Sequence, residues 1–109
     1  MEPREILGRI EKGLWAPLPG LPAQLAMVPE PRPGHKAYFE VEDTCRKAGV
    51  LILLYLKAGR LRVLLTRRTE SVLHHRGQIS LPGGEQHAGE SLEATALRET
   101  SEELGLDLG

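Results

Sequence analysis

Three carboxylates near the end of the chain are the residues whose type and spacing could do chemistry. Glu99, Glu102 and Glu103 fall within little more than one helical turn. Like charges at this spacing repel one another on a helix surface. A hard divalent cation neutralises such a cluster, and oxygen atoms are the ligands that Mg²⁺ selects. The cluster therefore predicts a metal site.

A solvated acidic helix face is the alternative explanation of the same cluster. Helical periodicity of ~100° per residue places four residues on the arc that should be buried: Leu92, Ala96, Thr100 and Leu104. Glu103 projects into this arc, and Glu99 lies beside it. A helix with only a structural role would carry both carboxylates on the opposite side, so the metal site is the favoured interpretation.

The carboxylates belong to a longer pattern, G-x5-E-x7-R-E-U-x-E-E-x-G-U, in which U is a bulky apolar residue. Its fixed positions are Gly84, Glu90, Arg98, Glu99, Glu102, Glu103 and Gly105. The pattern resembles the Nudix box of metal-dependent hydrolases, which act on a nucleoside diphosphate linked to another group. All the fixed positions match, and Thr100 stands where an aliphatic residue is usual. The resemblance covers residues 48–106, with the box at 84–106.

The resemblance implies a set of roles around a bound Mg²⁺ or Mn²⁺. The ligand candidates are the side chains of Glu99, Glu102 and Glu103 and the carbonyl of Gly83. Glu99 is also a candidate for the base that orients the attacking water. Glu90 and Arg98 correspond to an internal ion pair that ties the loop to the helix. The alternative for this pair is two solvated charges.

Residues 64–84 carry a second pattern upstream of the box. It resembles the signature of the coenzyme A diphosphatase branch, with matches at Leu64, Leu65, Thr66, Arg68, Gly77, Pro82, Gly83 and Gly84. Thr69, Leu73 and Leu81 depart from it. The branch implies hydrolysis of coenzyme A or a derivative to 3′,5′-ADP and 4′-phosphopantetheine. Two alternatives stay open: another nucleoside diphosphate derivative (a triphosphate, dinucleotide or nucleotide sugar), or a non-catalytic nucleotide-binding module.

Basic residues in the same segment are candidates for binding the substrate. Arg67, Arg68 and Arg76 could contact phosphates, and arginine suits bidentate contact with them. His74 and His75 extend this basic patch, and any of its members after Leu73 could replace the arginine usual at that position. Alternation along a strand puts Arg67 and Arg68 on opposite faces, so we expect at most one in the cleft. A solvated strand end is the alternative.

The elements that must position these residues follow from periodicity and turn residues. We expect an N-terminal helix within 1–16, a proline-rich linker or covering loop over 17–47 without helix, and a Nudix domain part over 48–109. Within that part, strands at 48–56 and 61–66 form a hairpin, a loop covers 69–77, and a short strand at 78–81 stops at Pro82. A helix begins after the cap Ser91 and ends at Leu104, before Gly105.

The resemblance implies an α/β fold, an αβα sandwich with a mixed sheet. In that fold, strands and a helix follow the box, whereas this chain ends three residues after it. We therefore expect the N-terminal part of a longer protein, with a fold incomplete at its C-terminus. We expect such a part to expose an apolar patch and an unpaired strand edge, and so to associate, as a homodimer for example.

Length, charge and cysteine content narrow the classes of protein. The 109 residues form at most one domain, and a net charge of -1 gives no basic field for nucleic acid. No apolar run approaches the ~20 residues of a membrane span. The single Cys45 excludes an internal disulfide and suits a reducing, cytoplasmic location. The resemblance implies a small-molecule substrate as the partner, and we expect neither nucleic acid nor a membrane as a partner.

Overall fold

A computed structural model describes residues 1–29, 44–69 and 77–109. The chain forms two compact units, Met1–Cys45 and Arg46–Gly109. Within the described ranges, no helix has the length and apolarity needed to cross a lipid bilayer.

Two helices lie in the described part of the first unit. Helix α1 spans Pro3–Trp15, with proline in the first turn where its missing N–H is not needed. This confirms the predicted N-terminal helix. Helix α2 spans Gly20–Leu25, so the prediction of a helix-free proline-rich segment is wrong here. Pro22 lies in the first turn of α2, where a proline removes no intrahelical hydrogen bond.

The second unit consists of paired short strands and one long helix. The strands form three antiparallel pairs: β1 with β6, β2 with β3, and β4 with β5. This is an α/β arrangement as expected, although the described pairings are all antiparallel where the resemblance implied a mixed sheet. The elements are β1 (Ala48–Val50), β2 (Leu54–Lys57), β3 (Arg60–Val63), β4 (Thr66–Arg67), β5 (Ile79–Ser80), β6 (Gly83–Glu85) and α3 (Leu92–Leu104).

The apolar run at 48–56 forms two strands rather than the single one predicted. Its first part pairs with β6 and its second part with β3. Leu51 N donates to Pro82 O at 2.9 Å, but Pro82 has no N–H to return the bond, so the ladder is interrupted there. Val50 is 61% exposed and Ile52 is 65% exposed. The run is therefore covered on one face only, whereas its composition predicts burial on both.

The predicted hairpin is confirmed, with a two-residue turn between β2 and β3. Ala58 has φ 52° and Gly59 has φ 71°, so both turn residues are left-handed, as a type I′ turn requires. Positive φ was expected at Gly59 only. Similarly, the two strands predicted at 61–66 and 78–81 are present in shorter form, because β3 ends at Val63 and β5 covers only Ile79–Ser80.

Strand β6 was missed, because we expected Pro82 and the two glycines after it to end the strand. Gly83–Glu85 instead pair with β1, and Gly84 lies opposite Gly49. A Cβ atom on Gly49 would lie 2.5 Å from Leu92 O, and one on Gly84 would collide with the Glu99 side chain. The paired glycines thus let α3 lie directly on the β1–β6 backbone.

Helix α3 has the predicted ends. Ser91 Oγ accepts a hydrogen bond from Ala94 N at 3.0 Å, and Gly105 is left-handed with φ 67°. The buried residues of α3 are Thr95, Ala96 and Thr100. Leu92, expected on the buried arc, is 45% exposed. The buried face of α3 is therefore small and partly polar, because it faces glycine backbone.

Candidate active site

A bidentate ion pair ties the loop before α3 to the helix. Arg98 Nε lies 2.7 Å from Glu90 Oε2, and Arg98 Nη2 lies 3.0 Å from Glu90 Oε1. Arg98 Nη2 also donates to Glu85 O at 3.1 Å. The side chains are only 23% and 15% exposed. The ion pair expected between these two residues is thus present, and it spans β6, the loop and α3.

Electrostatics favour the charged form of both partners. Hydrogen bonds from Arg98, then from Thr95, lower the pKa of Glu90 to about 2. Hydrogen bonding to Glu90 is also the largest cause that raises the pKa of Arg98 above its ordinary value. Hydrogen bonds to the charged form of a group stabilise that form. The pair is therefore ionised at any pH near neutrality.

Thr95 is a member of this site that periodicity did not reveal. It is fully buried, and its hydroxyl lies 2.7 Å from Glu90 Oε1 and 2.9 Å from Ser91 O. The backbone N–H of His87 donates to the same carboxylate oxygen at 3.2 Å. A threonine at the fourth position of α3 gives no apolar signal. Its position five residues after Glu90 and three before Arg98 was the available clue.

Arg98 also contacts two of the three box carboxylates. Its Nη1 lies 3.0 Å from Glu99 Oε1 and 3.5 Å from Glu102 Oε1. The Glu99 side chain lies over Gly84, in the space that a Cβ atom there would occupy. Glu102 is more exposed, at 61% of its side chain. One guanidinium therefore holds Glu99 against β6 and attracts Glu102 to the same side of α3.

Glu103 faces a different environment, a cleft of about 720 Å³. Arg67, Arg68, Gly83 and Gly84 line the same cleft. Among the described residues, Glu103 makes no ion pair or hydrogen bond, and neither arginine side chain is paired. An acidic residue and two arginines thus line one cleft, and none of their three side chains has a partner in the described part of the chain.

Strand alternation led us to expect at most one of Arg67 and Arg68 in the cleft. Backbone pairing continues past the end of β4, because Arg68 N donates to Gln78 O at 2.8 Å and Arg68 O accepts from Gly77 N at 3.0 Å. Both residues contribute to the lining of the cleft. Arg76, His74 and His75 lie outside the described residues, and their predicted role stays a prediction.

The donor set of the site fits a hard divalent cation by its chemistry. Glu99, Glu102 and Glu103 supply only oxygen, and Gly83 brings backbone to the wall of the cleft. Within ranges 1–29, 44–69 and 77–109, no three acidic, histidine or cysteine side chains converge on one point. The reason is visible in the contacts, because Arg98 turns Glu99 and Glu102 toward itself while Glu103 faces the cleft.

Comparison with known proteins identifies the fold family. The NUDIX domain family matches residues 46–109, which is more than half of the chain. The chain belongs to the Nudix family. The matched range coincides with the second unit. It includes the β1–β6 pair with its facing glycines, the loop before α3, and α3 itself. Nudix proteins act on small nucleotide derivatives with the help of divalent metal ions. No solved structure matches the chain.

Several curated Nudix proteins are similar to this part of the chain. Nudix hydrolase 3 of Caenorhabditis elegans is 40% identical over 71% of this chain and 32% of its own length. Nudix hydrolase 22, chloroplastic, of Arabidopsis thaliana is 45% identical over 57% of this chain and 21% of its own. Peroxisomal coenzyme A diphosphatase 1 of Saccharomyces cerevisiae is 43% identical over 56% of this chain and 18% of its own. The chain thus spans about a third or less of each relative.

Proposed function

We propose that the protein hydrolyses the diphosphate bond of coenzyme A or a derivative, in a reaction that depends on Mg²⁺ or Mn²⁺. The observation that carries this proposal is the cleft, where Glu103 stands with Arg67 and Arg68 beside the Gly83–Gly84 backbone. A diphosphate needs cationic groups for its oxygens and a carboxylate to hold a metal ion. The cleft offers both kinds of group.

Each side chain has a task in this proposal. Glu99, Glu102, Glu103 and the carbonyl of Gly83 would hold the metal, which when bound neutralises phosphate oxygens and lowers the pKa of a water molecule. Arg67 and Arg68 bind the phosphate groups of the substrate. Glu99 orients the attacking water and accepts its proton. The products are 3′,5′-ADP and 4′-phosphopantetheine.

Coenzyme A is the preferred substrate on two grounds. Residues 64–84 match the coenzyme A diphosphatase signature at eight positions, and a yeast relative bears the name of that activity. Coenzyme A carries a 3′-phosphate beyond its diphosphate. Two arginines that have no partner among residues 1–29, 44–69 and 77–109 suit a substrate with more than one phosphate site.

A non-catalytic nucleotide-binding module is the second candidate, and one observation favours it. Glu99 and Glu102 contact Arg98, and the three box carboxylates do not converge among the described residues. A module of this kind would bind coenzyme A through Arg67 and Arg68 and leave its diphosphate intact.

A substrate panel on the full-length protein tests the proposal. Coenzyme A, NADH, ADP-ribose and dNTPs are incubated with Mg²⁺ or Mn²⁺, and the products are identified by mass spectrometry. We expect preferential cleavage of coenzyme A to 3′,5′-ADP and 4′-phosphopantetheine. Preference for another compound would assign the protein to another Nudix activity. Tight binding of coenzyme A without any product would favour the binding module.

A further inference from the structure

Thr95 is the one fully buried side chain of α3 that contacts the loop carboxylate. Its hydroxyl has a single proton and two acceptors in reach, Glu90 Oε1 at 2.7 Å and Ser91 O at 2.9 Å. A hydrogen bond to a charged carboxylate is shorter and stronger than one to a backbone carbonyl. The Thr95 hydroxyl therefore donates mainly to Glu90, as the shorter distance also indicates.

The Thr95 hydroxyl is one of three groups that donate to the same oxygen of Glu90. Among the residues that the structure describes, Oε2 accepts from Arg98 Nε alone, whereas Oε1 accepts from Arg98, from the His87 backbone and from Thr95. The bidentate contact with Arg98 aligns the carboxylate with the guanidinium plane. The Thr95 hydroxyl adds a donor from the buried face of α3 and so holds the aligned carboxylate against that helix.

The orientation of Glu90 in turn sets the position of Arg98. With Nε and Nη2 held by Glu90, the remaining nitrogen Nη1 is directed at Glu99, 3.0 Å away. The planar guanidinium allows this only in one orientation, because its five donors form a rigid fork. Glu99 is thereby held over Gly84, at the wall next to the cleft.

We propose that Thr95 is a positioning residue of the active site, which fixes the Glu99 carboxylate through Glu90 and Arg98. Thr95 does not line the cleft, so it acts through Glu90 and not on the substrate. The inference rests on the proposed function, in which Glu99 is a metal ligand. Thr95 lies between the fixed positions Glu90 and Arg98 of the box. The inference makes it one of the residues that set the affinity of the site for its metal.

Thr100 offers a matched control on the same helix. It is as fully buried as Thr95, but its hydroxyl has no hydrogen-bond partner among the described residues. Thr→Val is the same change at both positions. A loss that appears in Thr95→Val and not in Thr100→Val therefore reports the hydrogen bond to Glu90, not the burial of a threonine.

The test uses the full-length protein and two measurements that need no substrate. The first is solvent exchange of the Arg98 Nε–H by NMR, with the resonance assigned through Arg98→Lys. The second is Mn²⁺ affinity from the electron paramagnetic resonance signal of free Mn²⁺. We expect Thr95→Val to speed the exchange and to weaken Mn²⁺ binding by about tenfold, within the range typical for groups that orient metal ligands. Thr95→Ser should restore both, and Thr100→Val should change neither.

A double-mutant comparison separates a positioning role from a structural one. If Thr95 acts through Glu90, Thr95→Val should have no further effect on Mn²⁺ affinity in a Glu90→Ala background, which lacks the acceptor of the Thr95 hydroxyl. Unchanged Arg98 exchange and unchanged Mn²⁺ affinity in folded Thr95→Val would overturn the inference, even if its melting temperature fell. If Thr95→Val does not fold, failure of Thr95→Ser to keep wild-type exchange and affinity would overturn it.

The outcomes also distinguish this inference from the proposed function. A wild-type protein that binds no Mn²⁺ would contradict the proposed metal-dependent reaction. The exchange measurement on Arg98 would still decide whether Thr95 fixes the arginine.

Discussion

Arg98 connects the loop carboxylate Glu90 with the carboxylates of α3 in the candidate active site. It binds Glu90 on one side through two hydrogen bonds and contacts Glu99 and Glu102 on the other. Removal of either member of a paired, half-buried set leaves the other charge without compensation. The stability of the loop and the position of Glu99 should therefore respond to the same substitutions.

The ion pair predicts a specific dependence of stability on acid pH. The folded-state pKa of Glu90 is lowered from 4.5 to about 2, so its contribution is present above pH 4.5 and is lost as the pH falls toward 2. We expect wild-type protein to be more stable than Glu90→Gln near pH 6, and the difference to shrink between pH 4.5 and 2. Urea unfolding at a series of pH values measures it. A difference that stays constant down to pH 2 would show that the carboxylate is not stabilised by folding.

Sequence reasoning located residues well where a local pattern names them, and poorly where a contact is non-local. Ser91 and Gly105 could be assigned because helix caps depend on the neighbouring few residues. The Glu90–Arg98 pair was accessible only through its resemblance to a known motif. Thr95 was missed because a buried hydroxyl with a charged partner has no apolar periodicity. The predicted strand at 61–66 ended before Arg67, whereas β4 contains Arg67, and both arginines line the cleft.

At the scale of elements, the glycines of the β1–β6 ladder decide how α3 meets the sheet. Strand β6 was not predictable from propensity, since glycine is depleted in strands. Its glycines are explained by close approach, because side chains there would meet the helix. The split of the run at 48–56 was likewise hidden, because the pairing partners of β1 and β2 lie far apart in sequence.

The two glycines that face each other predict different effects of alanine. At Gly49 a Cβ atom would meet the backbone of α3, so Gly49→Ala should destabilise the fold by about 1–3 kcal/mol. At Gly84 it would meet only the flexible end of Glu99, so Gly84→Ala should cost less stability but displace that carboxylate. Chemical denaturation and turnover of the full-length variants measure both effects.

The reverse order would contradict this packing. If Gly84→Ala unfolded the protein while Gly49→Ala was tolerated, α3 could not lie on the ladder as described. Gly13→Ala in α1 is a control, because no atom lies within 4 Å of the added methyl group. A glycine-to-alanine change there should stabilise the helix by about 1 kcal/mol.

At the scale of the whole molecule, the second unit leaves one side of its strands open. Val50, Ile52, Leu65 and Ile79 are each more than half exposed. Apolar surface of this kind drives association, and short strands with free edges add unpaired backbone groups. This exposure agrees with the expectation of an apolar patch.

The 109-residue chain by itself should therefore self-associate. We expect sedimentation velocity to show species larger than a monomer at micromolar concentration, and Ile52→Thr combined with Val50→Thr to shift the distribution toward monomer. Glu93→Gln, at an exposed position on α3, is a control that should leave it unchanged. A monodisperse monomer at high concentration would show that the exposed apolar residues do not drive self-association.

The dependence of diphosphate hydrolysis on a divalent cation and on Glu103 tests the central claim most directly. The measurement is the initial rate of coenzyme A hydrolysis by full-length wild-type protein and Glu103→Gln, in excess chelator and across a titration of Mg²⁺ and Mn²⁺. We predict no turnover in chelator, recovery on addition of either cation, and a loss of orders of magnitude in Glu103→Gln, which is nearly isosteric and keeps its fold. Turnover that persists in chelator, or a near wild-type rate in Glu103→Gln, would contradict the account.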